Sequence, residues 1–542
     1  MLARRLTFFA LVAATAAGLV ALLWAALAAG GWTVAKAALL LAFLPAAPWL
    51  GICFANALLG FAILVCARDA ARAVLPVKGD IEHGAIVLRT AIAVTIRNED
   101  METVLPPLGR LLRELDDPGH FTAILLSDTQ DLALAAAEAE TVAAFGHGLR
   151  YRRRAENSGF KAGNVMDFLD HHAAGCDLAV MLDADSVMSA AAVRRLVRIM
   201  QADPGMGLVQ QLTAGRPAEA AFPRLFQFGM RAGMRVWAVG QAFWQRRDGP
   251  YWGHNAIFRI APFRAHCRLE PLPDGSPILS HDQVEAARLA AAGWGVTVWA
   301  DDRGSYEANP PAMPEFLHRD GRWLAGNLQY WHLLRLPGFS AMGRWQLVQA
   351  MLLFAGAPLY VAMFVLAVVV AAQAPEASPR GPILAFAAAW AGTLYAPKLL
   401  GYVETLLFPA RRAAYGGGRA MLAGAGAEFV FTLLLDAPCY IGKLIAMARL
   451  ALGARPGWLP QNRADRGVTW GEASRLYWPQ TLFGVATFGP LGWFSPDMAL
   501  LALPFAGGLL CVIPFCVATS SPWFSAWLRA RRVAAMPEEL VP

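Results

Sequence analysis

Two kinds of sequence alternate along this chain, and the alternation limits its fold more than any single motif does. Nearly uncharged runs of the length that crosses a bilayer, about 20 residues, lie toward both ends. A stretch of ordinary composition, from about Arg89 to Arg335, lies between them. Of 542 residues, 57% are hydrophobic and only 16% charged, whereas a soluble protein carries roughly a quarter charged. One soluble core cannot absorb such a sequence. The reading is therefore an α/β domain inserted between transmembrane helices.

Six spans are expected, at 7–30, 37–67, 347–371, 383–408, 476–494 and 498–519. Ala26-Leu27-Ala28 imitates a signal-peptidase site, but the first run is longer than a signal peptide's apolar core, so a retained helix is expected. Arg4 and Arg5 precede the first run, and Arg68, Arg72 and Lys78 follow the second. This places the amino terminus and the chain after Arg68 on the cytoplasmic side. The segment 419–450 is apolar yet carries Glu428, Asp436 and Lys443. Only if it lies in the interface do the basic stretches around Arg412, Arg466 and Arg531 all fall on the cytoplasmic side, so an interfacial helix is expected. The resulting divisions are 1–80 (two spans), 81–337 (catalytic domain), 338–410 (two spans), 411–475 (interfacial helix and loop) and 476–542 (two spans and a tail). These basic clusters flank apolar runs, so the formal charge of +7 implies no nucleic-acid partner. The seven cysteines contain no Cys-x-x-Cys, which argues against a disulfide framework or a zinc site.

Within the central stretch, apolar strands at 91–96, 123–126, 178–182, 207–211 and 296–300 alternate with helical stretches at 102–115, 132–145, 163–171 and 190–201. That order implies a mostly parallel sheet covered on both faces. Neither a Gly-x-Gly-x-x-Gly turn nor a P-loop is present. The strand 178–182 ends in Asp183-Ala184-Asp185, and open α/β sheets hold ligands at the strands' carboxyl ends. Two hard carboxylates there suit Mg²⁺ or Mn²⁺, which in turn suits a diphosphate. The loops Arg97-Asn98-Glu99 and Ser127-Asp128-Thr129 leave earlier strands at the same edge, which favours a nucleotide site. Lys161, beside Gly163 at a helix start, suits a phosphate, whereas Arg152, Arg153 and Arg154 read as surface charge. Asp282 opens a helix, as a cap or as a general base. Arg322-Trp323 offers a cation for phosphate and an indole on which a pyranose can stack.

Taken in order, Asn98-Glu99, Asp128, Lys161-Ala162-Gly163-Asn164, Asp183-x-Asp185, Asp282 and Arg322-Trp323 resemble processive family 2 glycosyltransferases of the cellulose and hyaluronan synthase type. Tyr251-Trp252-Gly253-His254-Asn255, Leu279-Ser280-His281-Asp282, Gly304-Ser305-Tyr306-Glu307 and Arg322-Trp323-x-x-Gly326-Asn327 narrow the resemblance to the family of osmoregulated periplasmic glucan glucosyltransferases. The resemblance implies a GT-A-like domain that uses UDP-glucose and Mg²⁺ or Mn²⁺ to extend a β-1,2-linked glucan, with inversion. It implies the growing glucan, the lipid bilayer and periplasmic glucan-processing proteins as partners, at a bacterial inner membrane. By the same resemblance, Asn98, Glu99 and Asp128 hold uridine and ribose, and Lys161 meets the diphosphate. Asp183 and Asp185 position the metal and UDP, Asp282 is the base, and Arg322 neutralises the leaving group. Trp323, His254 and Asn255 serve the acceptor. Val468-Thr469-Trp470 stands where cellulose synthases carry a gating loop, so Thr469 is expected to reach the diphosphate from a mobile segment, 461–473. Three departures matter. The wider family has Thr/Ser-Glu-Asp where this chain has Ser280-His281-Asp282, Arg319 stands where the wider family has glutamine, and the chain starts almost at its first helix, where some relatives carry a cytoplasmic extension. The rival readings are a transferase adding one sugar to a polyprenyl-phosphate carrier and a transporter with a degenerate soluble domain.

Overall fold

A computed structural model describes residues 2–373, 380–454 and 464–540. Its centre is a seven-stranded sheet in the order β3-β2-β1-β4-β8-β6-β9. The strands are β1 (Thr90–Ile96), β2 (Phe121–Ser127), β3 (Arg150–Arg153), β4 (Leu178–Asp183), β6 (Met206–Gln211), β8 (Ala256–Arg259) and β9 (Gly295–Trp299). Only β8 runs antiparallel, paired with β4 on one side and β6 on the other. A small sheet joins β5 (Val187–Met188), β10 (Ser305–Glu307) and β7 (Ala214–Gly215). The mostly parallel α/β reading holds.

Alternation along the strands builds two cores. Ile92, Val94, Val180 and Leu182 pack on one face with Met101–Leu115 and Ala190–Ala202. Ala91, Ala93, Ala179 and Met181 pack on the other with Phe160–His171 and Asp282–Ala291. Helix starts follow local chemistry. Asp100, Asp131 and Ser189 each accept from backbone N–H groups of the first turn, which satisfies donors a helix cannot satisfy itself.

Beside this domain, the described residues include five helices long and apolar enough to cross a membrane: Leu2–Ala28, Ala47–Cys66, Ala341–Gln373, Gly418–Ala451 and Pro496–Thr519. A sixth is the pair Gly381–Leu394 and Ala396–Leu407, if its 69° bend belongs to one span. Pro397 stands in the first turn after that bend, where its missing N–H is tolerated. The expected run at 37–67 breaks after Phe43, and only Ala47–Cys66 keeps spanning length. The segment 419–450 forms one 34-residue helix that also qualifies as a span by length and composition. Trp470–Phe494, expected to cross, is not among the qualifying helices. In the segment 461–473, the first three residues fall outside the described ones.

The two parts are joined by the 25-residue helix Ala221–Gln245, which follows β7. It lies so close to Ala47–Cys66 that a Cβ at Gly60 would sit 1.9 Å from the Val236 carbonyl oxygen, and one at Gly240 would sit 2.0 Å from that of Asn56. Trp244, nearby, donates to Asn56 Oδ1 at 2.9 Å and stacks on Phe8 with ring centroids 4.0 Å apart. Backbones this close leave no space for a side chain, and overpacking costs about 1–3 kcal/mol or more. Gly240→Val should therefore lower the thermal midpoint of the detergent-solubilised protein by several degrees. An unchanged midpoint in a fluorescence melt would contradict this seam.

Candidate active site

The register of the sheet assembles the site. β1 pairs with β2 so that Ile96 lies opposite Ser127, and with β4 so that Thr95 lies opposite Asp183. Three loops therefore leave the sheet side by side. They form a cavity of about 130 Å³ lined by Thr95, Arg97, Glu99, Asp128, Lys161 and Asp183. Asn98 sits in this first loop with φ 54°, and its N–H donates to Thr129 Oγ1 at 2.8 Å.

Behind the loops stand two arginines expected on the surface but buried in the structure. Arg154 is buried and donates through Nε and Nη2 to the two oxygens of Asp128, at 2.7 and 2.8 Å. Arg152 is also buried and donates to Asn164 Oδ1 at 2.7 Å. The assignment of Arg152 and Arg154 to surface charge is corrected accordingly. β3 pairs with β2 through the run Arg-Tyr-Arg-Arg. It has no apolar signature: Arg150 is exposed, Arg153 is half-buried and donates to the Thr129 carbonyl, and only Arg152 is buried, against its acceptor on Asn164. Glu138 was missed as well. Its buried carboxylate accepts from Ser127 Oγ at 2.7 Å, Thr129 Oγ1 at 2.6 Å and the Tyr151 hydroxyl at 2.9 Å. Glu138 thereby fixes the second loop, and through Thr129 the first. A carboxylate inside an alanine-rich helix, Leu132–Phe145, gives no local sign of this.

Lys161 joins two halves of the site. Its Nζ contacts the Asp183 carboxylate and donates to the Gly253 carbonyl at 2.8 Å. Thr95 Oγ1 donates to Asp183 at 3.0 Å. Burial alone would raise the Asp183 carboxyl, but Lys161, His254 and these hydrogen bonds hold it well below the usual range. Gly253 has φ 85°, and a Cβ there would stand 3.7 Å from both Lys161 Nζ and Asp282 Oδ2. Lys161 and Asp282 thus meet at one glycine.

On the far side, a cavity of about 420 Å³ is lined by Asp282, His254, Glu307, Arg319 and Trp323. Asp282 begins the helix Asp282–Ala291. Just before it, His281 Nδ1 lies 2.8 Å from the buried Glu285 carboxylate. Burial opposes charge on His281, yet Glu285 and Asp282 raise it above its ordinary value. Trp323 is 49% exposed on the helix Met313–Leu328, with Arg322 one residue before it. That helix packs tightly here, since a Cβ at Gly326 would stand 2.2 Å from Ser280 Oγ. Five expected site residues, Asn98, Asp185, Arg322, Asn255 and Thr469, are not among those lining either cavity. Asn255 is fully buried at φ 48°, and its amide donates to Ser305 Oγ at 2.9 Å and the Tyr306 carbonyl at 3.2 Å. Thr469 caps the helix Trp470–Phe494 by accepting from Glu472 N–H at 3.2 Å.

Asp183 and Asp185 are one residue apart at the end of β4. Among the described residues, no group of three or more His, Cys, Asp or Glu side chains could hold a metal. Two carboxylates fit Mg²⁺ or Mn²⁺ only when diphosphate oxygens and water complete the shell, as such ions commonly bind.

His254 supplies a pH test. Its Nε2 lies 3.2 Å from Glu307 Oε2. Burial would lower its pKa, but Glu307 and Asp183 push it up to about 9, from an ordinary 6.5. A folded-state value above the unfolded one means stability fully present below pH 6.5 and lost as pH rises through about 9. The melting temperature of the wild type should fall across that window, and Glu307→Gln should flatten the fall. Parallel curves for the two proteins would contradict the pairing.

Residues 178–399 match the family model described as glycosyl transferase family group 2. Three curated relatives, each called a glucans biosynthesis glucosyltransferase H, match nearly the whole chain. The one from Cupriavidus pinatubonensis is 32% identical over 94% of this chain, which spans 62% of that relative. The Bradyrhizobium diazoefficiens relative is 34% identical, covering 94% of this chain and 71% of its own. The one from Xanthomonas campestris pv. campestris is 33% identical, covering 95% and 84%. Among solved structures, a mannosyltransferase from Pyrobaculum calidifontis in complex with GDP-Man and Mn²⁺ aligns at a TM-score of 0.40 and 19% identity, over 66% of this chain and 99% of that one.

Proposed function

The chain belongs to the glucans biosynthesis glucosyltransferase H family, and on that premise we propose that it transfers glucose from UDP-glucose to the end of a β-1,2-linked glucan. The single observation that carries the reading is the meeting at Gly253 of the nucleotide-side residues Lys161 and Asp183 with Asp282.

In this reading the 130 Å³ cavity takes the nucleotide. Glu99 and the Asn98 loop hold the uridine, and Asp128 is oriented for it by Arg154. Lys161 and Arg322 meet the diphosphate, Lys161 exchanging its contact with Asp183 for phosphate oxygens. Asp183 and Asp185 would hold a divalent ion, which supplies neutralisation of the leaving diphosphate's charge when bound. The glucan's terminal sugar stacks on Trp323. One of its hydroxyl oxygens attacks the glucosyl C1 while Asp282 accepts the hydroxyl proton. The C1–O bond to UDP breaks, and UDP leaves with the electron pair. A single in-line displacement converts the α-linked donor into a β-glucoside.

Release of the product toward the periplasm is supported by the shape of the interior. The acceptor cavity contains Trp49, Trp237 and Trp252 and abuts a second cavity of about 410 Å³, with which it shares Trp49, Phe226 and Leu353. Indole faces alternating with polar groups suit a sliding pyranose chain. An interfacial position for Gly418–Ala451 is supported by its contacts with Ala221–Gln245 and Met313–Leu328. A Cβ at Gly424 would lie 2.7 Å from the Phe228 ring, and Lys443 lies 3.7 Å from Asp320.

Incubation of the purified protein with UDP-glucose and Mg²⁺, followed by linkage analysis, tests the reading. Asp282→Asn should keep UDP binding and lose about a hundred- to ten-thousand-fold in kcat, the scale of general-base catalysis. Asp183→Asn should lose turnover, as should excess EDTA. Full activity in EDTA would remove the ion from the scheme, and a surviving kcat in Asp282→Asn would reduce that residue to a helix cap. For the topology, a cysteine placed at the exposed Leu452 should react with an impermeant maleimide only from the cytoplasmic side. Labelling of intact spheroplasts would show instead that Gly418–Ala451 crosses.

A further inference from the structure

Stacking on an indole fixes the plane of a sugar but not its rotation within that plane. Hydroxyls around a pyranose ring are alike in reach, so Trp323 alone cannot decide which of them meets Asp282. A directional partner beside the indole is required.

Arg319 stands at that place. It precedes Trp323 by four residues on Met313–Leu328, which puts both on one helix face. Its guanidinium carbon lies 4.5 Å from the Trp323 ring centroid. It is the only arginine or lysine among the described residues lining the 420 Å³ cavity. Its Nε is buried with no hydrogen-bond partner among the described residues. Glu307, Asp320 and Asp185 balance its charge from nearby. Other buried polar atoms of the same cavity are also unmatched: both amide atoms of Gln245 and of Asn309, and Oε1 of Gln346 and Gln349. Leaving such groups unmatched costs about 1–3 kcal/mol each. Their concentration in one cavity marks a site for a ligand dense in hydroxyls.

We propose that Arg319 is a specificity-determining residue that donates to hydroxyls of the terminal acceptor sugar and so selects the hydroxyl presented to Asp282. A pyranose that stacks on the indole face takes the guanidinium's place and moves it to the sugar's rim. There its planar fork meets two neighbouring oxygens. The amides of Gln245, Asn309, Gln346 and Gln349 meet hydroxyls of the sugars behind it. This inference rests on the glucan-synthase reading above.

The test uses the full-length protein in detergent, with UDP-glucose as donor and sophorose, the β-1,2-linked glucose disaccharide, as acceptor. Arg319→Gln should raise the KM for sophorose about tenfold or more, the scale of one charge-assisted hydrogen bond. The KM for UDP-glucose should shift far less, and the product should contain a second linkage. Arg319→Lys keeps the charge but not the planar fork, and should recover part of the acceptor affinity without restoring a single linkage. If Arg319→Gln also loses UDP binding, Arg319→Lys decides alone: a product of mixed linkage supports the assignment, and an unchanged acceptor KM with one linkage overturns it. Variants that match the wild type in acceptor KM and linkage overturn the inference while leaving the functional reading intact. A wild type that forms no glucan from these substrates overturns that reading itself.

Discussion

The ammonium group of Lys161 carries the organisation of the site. It touches the Asp183 carboxylate at the end of β4 and donates to the carbonyl of Gly253, just before β8. One charge thus links the central parallel strands to the single antiparallel one. Gly253 in turn lies against Asp282, so the link reaches the start of the helix that carries the proposed base. An isolated carboxylate at a strand end would be free to turn. Here Lys161, Thr95 and the nearby His254 hold Asp183 ionised and oriented.

The loops before Asp183 depend on a different device. Neither Asn98 nor Asp128 is positioned by its own strand alone. Glu138 binds Ser127 and Thr129, Thr129 binds Asn98, and Arg154 binds Asp128. The bonds made by Glu138 and Arg154 are buried and charge-assisted, each worth more than a neutral bond at the surface and costly if broken on one side. The nucleotide edge is therefore set from behind, by residues that line none of its surface.

That division explains what could be read in the sequence. β1, β2 and β4 are continuous apolar runs because both faces of a central parallel strand are covered, and the carboxylates at their ends stand out for that reason. β3 is legible to no such rule, since the side chain it buries is a paired guanidinium, that of Arg152. β8, of four residues, is too short to declare itself, and the helix Ala221–Gln245 carries arginines among its apolar residues because it serves two environments. Glu138 and Arg154 were invisible for a further reason: each gains its role from a partner distant in the chain or on another element. Asn255 and Thr469 mark the reverse case. Both sit inside segments that resemble functional motifs, yet their side chains are spent on local backbone and hydroxyl groups.

The close approach of Ala47–Cys66 to Ala221–Gln245 has a kinetic consequence. Val236 and Asn56 carbonyls lie where side chains of Gly60 and Gly240 would otherwise be, so the two helices cannot slide past each other without a steric collision at this crossing. The catalytic domain is in effect bolted to the second long apolar helix. On the reading proposed above, a glucan advancing by one sugar per cycle would not be driven by sliding at this seam, and its movement would come from smaller parts around the acceptor.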